Sequence, residues 1–196
     1  MNRVPPTSPL PSLLFGDKTA IVDRNAAQVA ERISPVLPLR VRYEAIGDED
    51  DFVHRTQLAR INELELMAAA TKPLHVDVRQ SDTPLLIIPI QGGYHAHVDG
   101  KVLEGQAGRS ACYLPASRWI VKTEVVSVLV INLNRERIER LTRLMLGQPE
   151  GKTHPFDWTQ PHQLDMHGCG LAFDRMFRQV GAMLDVMLQQ PGLLEQ

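Results

Sequence analysis

The chain has 196 residues, a formal charge of −2 and only two cysteines. That length can bury a core without metal or disulfide staples, and the nearly balanced charge leaves no basic footprint for nucleic acid. No apolar run reaches the ~20 residues of a membrane span. The start, Met1-Asn-Arg-Val-Pro-Pro-Thr-Ser-Pro, lacks the apolar stretch of a signal peptide. A cytoplasmic protein follows as the expectation, with Cys112 and Cys169 as free thiols.

Residues 1–17 read as an irregular arm, since the first dozen carry four prolines among polar residues. Asp23 suits the N-cap of a short helix running to about Ile33, with Ala26, Ala27, Val29, Ala30 and Ile33 on its apolar side. Pro35 and Pro38 stop it. From Leu39 the period falls to two, which predicts strands at Leu39–Ala45, Phe52–Ile61, Leu64–Ala70, His75–Gln80 and Leu85–Gln91. Further strands follow at Tyr94–Val98, Lys101–Glu104, Ser110–Leu114, Trp119–Lys122 and Val125–Leu133. Asp99-Gly100 is the sharpest local signal, because a two-residue type I′ hairpin needs φ > 0 at both positions.

The last third turns helical. Asn134 caps a helix with Ile138, Leu141, Leu144 and Met145 as its stripe, and Gly147 fits a left-handed C-cap. A second helix is predicted from about Leu164 to Gln189, with Pro191-Gly192 ending it. The fold class is therefore mostly β with helices (α+β): an antiparallel roll over 18–133, a short helix before it, and two helices over 134–190.

Motifs of chemistry are sparse. There is no nucleophile elbow, dinucleotide fingerprint or P-loop. His95 and His97 stand two apart on a predicted strand, so both imidazoles point to one face and can meet one metal ion. The roll resembles a cupin, and the cupin pattern asks for a Glu four or five residues after the second His. Lys101 and Val102 occupy those places. It also asks for a His five residues after the proline of its second motif, where Pro115 is followed by Ile120. A metal-dependent cupin enzyme using His95 and His97 remains the alternative reading, with no metal or other cofactor expected. His162, His167 and Cys169 match no common zinc spacing. Arg135, Arg137, Arg140 and Arg143 alternate with Glu136 and Glu139, which reads as a solvated helix face rather than a DNA contact. Polar residues scattered along the strands (Arg40, Arg42, His54, Arg55, His75, Arg79 and Gln91) include some that must face inward, and register decides which.

The ordered set of Leu85-Leu-Ile-Ile-Pro-Ile-Gln-Gly, the Asp-Gly hairpin, Ala107-Gly108 to Pro115, and Ile131-Asn-Leu-Asn-Arg-Glu-Arg leading into a helix that ends at Gly147 resembles the N-terminal domain of AraC/XylS-type transcription regulators. The likeness covers roughly residues 18–190. It implies a cupin-like barrel that binds a small-molecule effector, helices that pair two protomers into a homodimer, no catalysis and no membrane. It also implies DNA binding only through a C-terminal helix-turn-helix domain, for which residues 191–196 would begin the linker. An excised domain is the favoured expectation over a natural short homologue. Candidate effector contacts are Arg42, His75, His95, His97, Tyr113 and Trp119, as polar or aromatic groups on predicted strands. Candidate helix-packing or dimer residues are Ile138, Leu141, Met176, Val180, Met183 and Met187.

Overall fold

The computed structural model describes residues 9–34, 37, 39–61, 64–147 and 156–166, with single helical positions at 179, 182, 183 and 186. Twelve antiparallel strands form one curled sheet: β1 (Ile21–Asp23), β2 (Leu39–Ala45), β3 (His54–Ile61), β4 (Leu64–Thr71), β5 (Leu74–Ser81) and β6 (Leu85–Gln91), then β7 (Gly93–Val98), β8 (Lys101–Gln106), β9 (Ser110–Leu114), β10 (Trp119–Thr123), β11 (Val126–Asn132) and β12 (His162–Asp165). The order across the sheet is β1-β3-β4-β11-β6-β9-β8-β7-β10-β5-β2, with β12 on β9. The β9–β8 link is one residue pair, Gln106 with Ser110. The sheet folds over at that link, so β2, β5, β10, β7 and β8 face β1, β3, β4, β11, β6 and β9.

The core between these two layers takes Val76, Val78, Tyr94, Ala96, Val98, Trp119 and Val121 from the first layer. Met67, Ala69, Ile87, Cys112, Leu114 and Val130 come from the second. A second apolar cluster lies on the outer side of the second layer, where Ala59, Leu66, Ala68, Ala70, Ile88 and Leu129 are covered by Leu13 and Phe15 of the N-terminal arm. This explains why Leu85-Leu-Ile-Ile-Pro-Ile shows no alternation: Leu85 and Ile87 enter the inner core while Ile88 enters the outer cluster. Residues 9–17 of the arm form no helix or strand, yet they are firmly attached. Arg55 donates to the carbonyls of Leu10 and Pro11 and pairs with Asp17, and Ser127 donates to the Ser12 carbonyl.

Two local features differ from the sequence reading. Asp23 is the last residue of β1 and not a helix cap. Its backbone is engaged in the β3 ladder, and its buried carboxylate holds Arg32 at 2.8 Å. The cap of α1 (Ala26–Ile33) is Asn25, which accepts from the Ala27 N–H. Residues 162–165 form β12 rather than the start of a helix, because Leu164 and its neighbours pair with the free edge of β9. His162 therefore stands on a strand, while His167 and Cys169 lie outside the described residues. By contrast, α2 (Arg135–Leu146) has the Asn134 cap and the left-handed Gly147 anticipated for it, and Asp99 and Gly100 both take positive φ.

Glycine is required at Gly105 for a packing reason. A β-carbon there would strike the ring of Tyr94, which lies across β8 and donates its hydroxyl to the Ile87 carbonyl at 2.8 Å. Gly105→Ala should therefore lower the free energy of unfolding by about 1–3 kcal/mol, the usual cost of overpacking. Urea denaturation at neutral pH measures it.

Candidate functional site

The two-residue period of β3 decides which of its polar groups turn inward. Leu58 packs in the inner core and Ala59 in the outer cluster, so His54 and Thr56 share the inner face while Arg55 and Gln57 face out. His54 lines an interior cavity of about 70 Å³ together with Leu39, Met67, Leu74, Val76, Ile87 and Val121, and with Tyr43 and Trp119 at its polar side. His54 is 2% exposed and Trp119 4%. Neither ring nitrogen of His54 has a hydrogen-bond partner among the described residues, and neither has the indole Nε1 of Trp119. Buried polar groups are ordinarily paired. These two are the exceptions that face the cavity.

Burial sets the protonation of this site. Loss of solvent pushes the His54 imidazole down to about 4, against the smaller opposing pull of Asp23, so the ring is neutral near pH 7. Desolvation likewise raises the Tyr43 hydroxyl, whose ring stands edge-on to His54 with centroids 6.3 Å apart. Cys112, buried in the same core, is pushed up to about 11, mainly by burial, and is a thiol rather than a nucleophilic thiolate.

Of the six effector candidates, only Trp119 faces this cavity. Arg42 is on the outer face of β2, paired with Glu44 at 2.8 Å. His75 is beside it on β5, 3.3 Å from the same carboxylate. His95 and His97 are exposed on the outer face of β7. Register places Glu44, His75, Lys122, His95 and Glu104 in one row across the sheet, while His97 faces Ile120 and Val102. No group of three His, Cys, Asp or Glu able to hold a metal forms among the described residues. Tyr113 also points away from the interior. Its ring packs edge-on against Phe156 and Trp158, and its hydroxyl donates to the Trp158 carbonyl at 2.7 Å, pinning residues 156–162 onto β9.

Two larger hollows lie outside the roll. One of about 700 Å³ runs between α1, β2 and the 3-10 turn Glu49–Asp51, and another of about 620 Å³ is bordered by Arg40, Arg42 and Arg79. Both are open clefts with charged, solvated rims. The smaller interior cavity is the better candidate, because only there are polar groups buried and unpaired. Tyr43 lines both the interior cavity and the 700 Å³ cleft, and so forms part of the wall between them.

Known structures place this arrangement. An AraC-like transcriptional activator, CuxR, superposes with a TM-score of 0.52 at 12% identity, covering 66% of this chain and 52% of that one. The fold is a cupin-like barrel with helices. Partial likenesses extend to a cupin-2 domain protein of Shewanella frigidimarina (TM-score 0.35, 14% identity, 40% of this chain and 79% of that one). Another is the cupin domain of an XRE family transcriptional regulator from Enterobacter cloacae (TM-score 0.35, 8% identity, 42% and 98%). This chain's match spans about half the length of CuxR. No protein-family model and no curated protein sequence matches it.

His54 is the site residue that the candidate list lacks. Its strand, His54-Arg-Thr-Gln-Leu-Ala-Arg, carries polar residues at both parities, so no hydrophobic alternation marks which set is buried. The buried neutral ring has a measurable consequence. Below about pH 6.5 the unfolded chain protonates this histidine, whereas the folded chain does not until about pH 4. Stability therefore falls as pH drops through that window, by on the order of 3 kcal/mol from this group alone, and its contribution levels off below pH 4. Urea unfolding at a series of pH values should show the decline in the native sequence, and His54→Leu should remove that component.

Proposed function

We propose that this chain is the ligand-sensing and dimerisation part of an AraC-type transcription regulator, acting without catalysis. The single observation that carries this reading is the interior cavity of the barrel, where His54 and Trp119 are buried with unpaired nitrogens. A molecule that pairs them binds one arrangement of barrel, arm and helices better than another, and so shifts the population between them. DNA contact belongs to a separate helix-turn-helix domain of the full regulator. The fold shared with CuxR supports this assignment, as does the order of motifs from Leu85 to Gly147.

Dimerisation falls to α2. Leu141, Leu144 and Met145 share one face of it, with Leu144 and Met145 71% and 86% exposed, and α2 only grazes the described barrel. Ile138 is half-buried, and Met183 is exposed at 65%. Met176, Val180 and Met187 lie outside the described residues. Arg135 and Glu139 form an i,i+4 ion pair at 2.9 Å along the same helix.

Sedimentation equilibrium should give a dimer, and Leu144→Glu with Met145→Lys should give a monomer without lowering the melting temperature. A monomeric native chain at micromolar concentration defeats the dimer assignment. Elemental analysis separates the enzyme alternative: a stoichiometric bound transition metal would favour a metal-dependent cupin built on His95 and His97.

A further inference from the structure

We infer that the interior site takes a compact, uncharged molecule with an apolar body and one hydroxyl group. This rests on the ligand-sensing reading and names the chemistry of its ligand. Among the residues that line the cavity none carries a formal charge at neutral pH, since burial keeps the His54 ring neutral. A carboxylate or phosphate would enter without a counter-ion, which buried charges require.

Three hydroxyls of the lining are already engaged. Thr123 accepts from the Leu74 N–H at 3.0 Å, Thr71 donates to the Lys72 carbonyl at 2.8 Å, and Tyr94 donates to the Ile87 carbonyl at 2.8 Å. The fully buried polar groups of the lining with no partner at all are the imidazole of His54 and the indole N–H of Trp119. A neutral imidazole offers one donor and one acceptor, and an indole offers one donor. One hydroxyl oxygen meets this set, because it can donate to the imidazole lone pair while accepting from an N–H. A carbonyl uses only the donors. A sugar brings several hydroxyls to a wall that is mostly aliphatic, and each left unpaired opposes binding.

Size sets the last limit. The cavity of about 70 Å³ is roughly half of the ~150 Å³ cavity that holds benzene. By that ratio it admits only a few non-hydrogen atoms, and it is far below the ~300 Å³ at which pockets for drug-sized ligands begin. The shared wall at Tyr43 gives a route in from the outer cleft.

The test titrates the full chain, labelled with nitrogen-15, with four probes of similar size: isobutanol, butanone, isobutyrate and glycerol. The chain has two tryptophans. Trp119→Phe assigns the Trp119 indole N–H resonance by its loss, and Trp158 serves as the internal control. Isobutanol should shift the Trp119 resonance saturably and leave Trp158 unmoved. Butanone should bind at least several-fold more weakly, and His54→Leu should weaken isobutanol about tenfold or more. Isobutyrate and glycerol should cause no saturable shift. A circular dichroism melt checks that each variant folds, and Trp119→Phe, with its resonance gone, should lose the thermal shift by isobutanol.

If isobutyrate or glycerol saturates the Trp119 shift as readily as isobutanol, the inferred class is wrong while ligand sensing stands. No saturable shift with any probe also overturns the inferred class. The broader reading is then judged separately, by a thermal-shift screen of larger and charged compounds. Silence in that screen as well counts against ligand sensing itself.

Discussion

Tyr94 holds the two layers of this barrel together. Its ring crosses β8 at the one position where no β-carbon stands in the way, Gly105, and its hydroxyl reaches β6 in the opposite layer. At this end the layers are also joined by the Gln106–Ser110 pair between β8 and β9 and by the Ser110 hydroxyl, which donates to the Glu104 carbonyl. The regular pairing of β6 with β9 ends at Ile87, and the Tyr94 hydroxyl donates to the carbonyl of that residue. One side chain thus gives hydrogen-bond satisfaction to a buried carbonyl and apolar contact to a ladder that could not close by strand pairing alone.

The interior and exterior of the barrel differ in how they treat polar groups. Outside, each charge has water or a neighbour: Arg42 and His75 share Glu44, and Arg32 holds Asp23. An exposed pair such as Arg42–Glu44 contributes little to stability. Inside, the barrel tolerates His54 and Trp119 at the cost of their lost hydration. A site that is strained by desolvation and compact in volume fits recognition of a small neutral group.

The outer face of the second layer shows the same economy in apolar form. Ala59, Ala68 and Ala70 leave room for close packing, and the arm fills part of that space with Phe15, which is fully buried. The arm has no regular structure of its own, so its order derives from that burial and from Arg55 binding its carbonyls. The barrel is therefore coated as well as filled. A change in the layer beneath the arm would be felt by it directly.

Local rules were enough to read much of this chain. The Asp99-Gly100 turn, the caps of α2 and the limits of β2, β6 and β9 follow from propensity, period and the steric demands of positive φ, all of which act over a few residues. The alternation of β7 likewise put His95 and His97 on one face. What alternation could not say was which face, because a shift of one residue exchanges inside for outside. That choice is made by pairing partners far away in sequence. Register with β4 and packing against both layers turned His54 inward, where its own strand, polar at both parities, gave no sign. The same kind of long-range pairing took Asp23 from a helix cap into β1 and drew 162–165 onto the edge of β9, where Tyr113 holds the segment with its ring and hydroxyl. The sequence by itself determined most of the strands, the turn chemistry and the order of barrel before α2. Only the tertiary structure decided which polar side chains lost their water, and in this protein those are the ones that define the site.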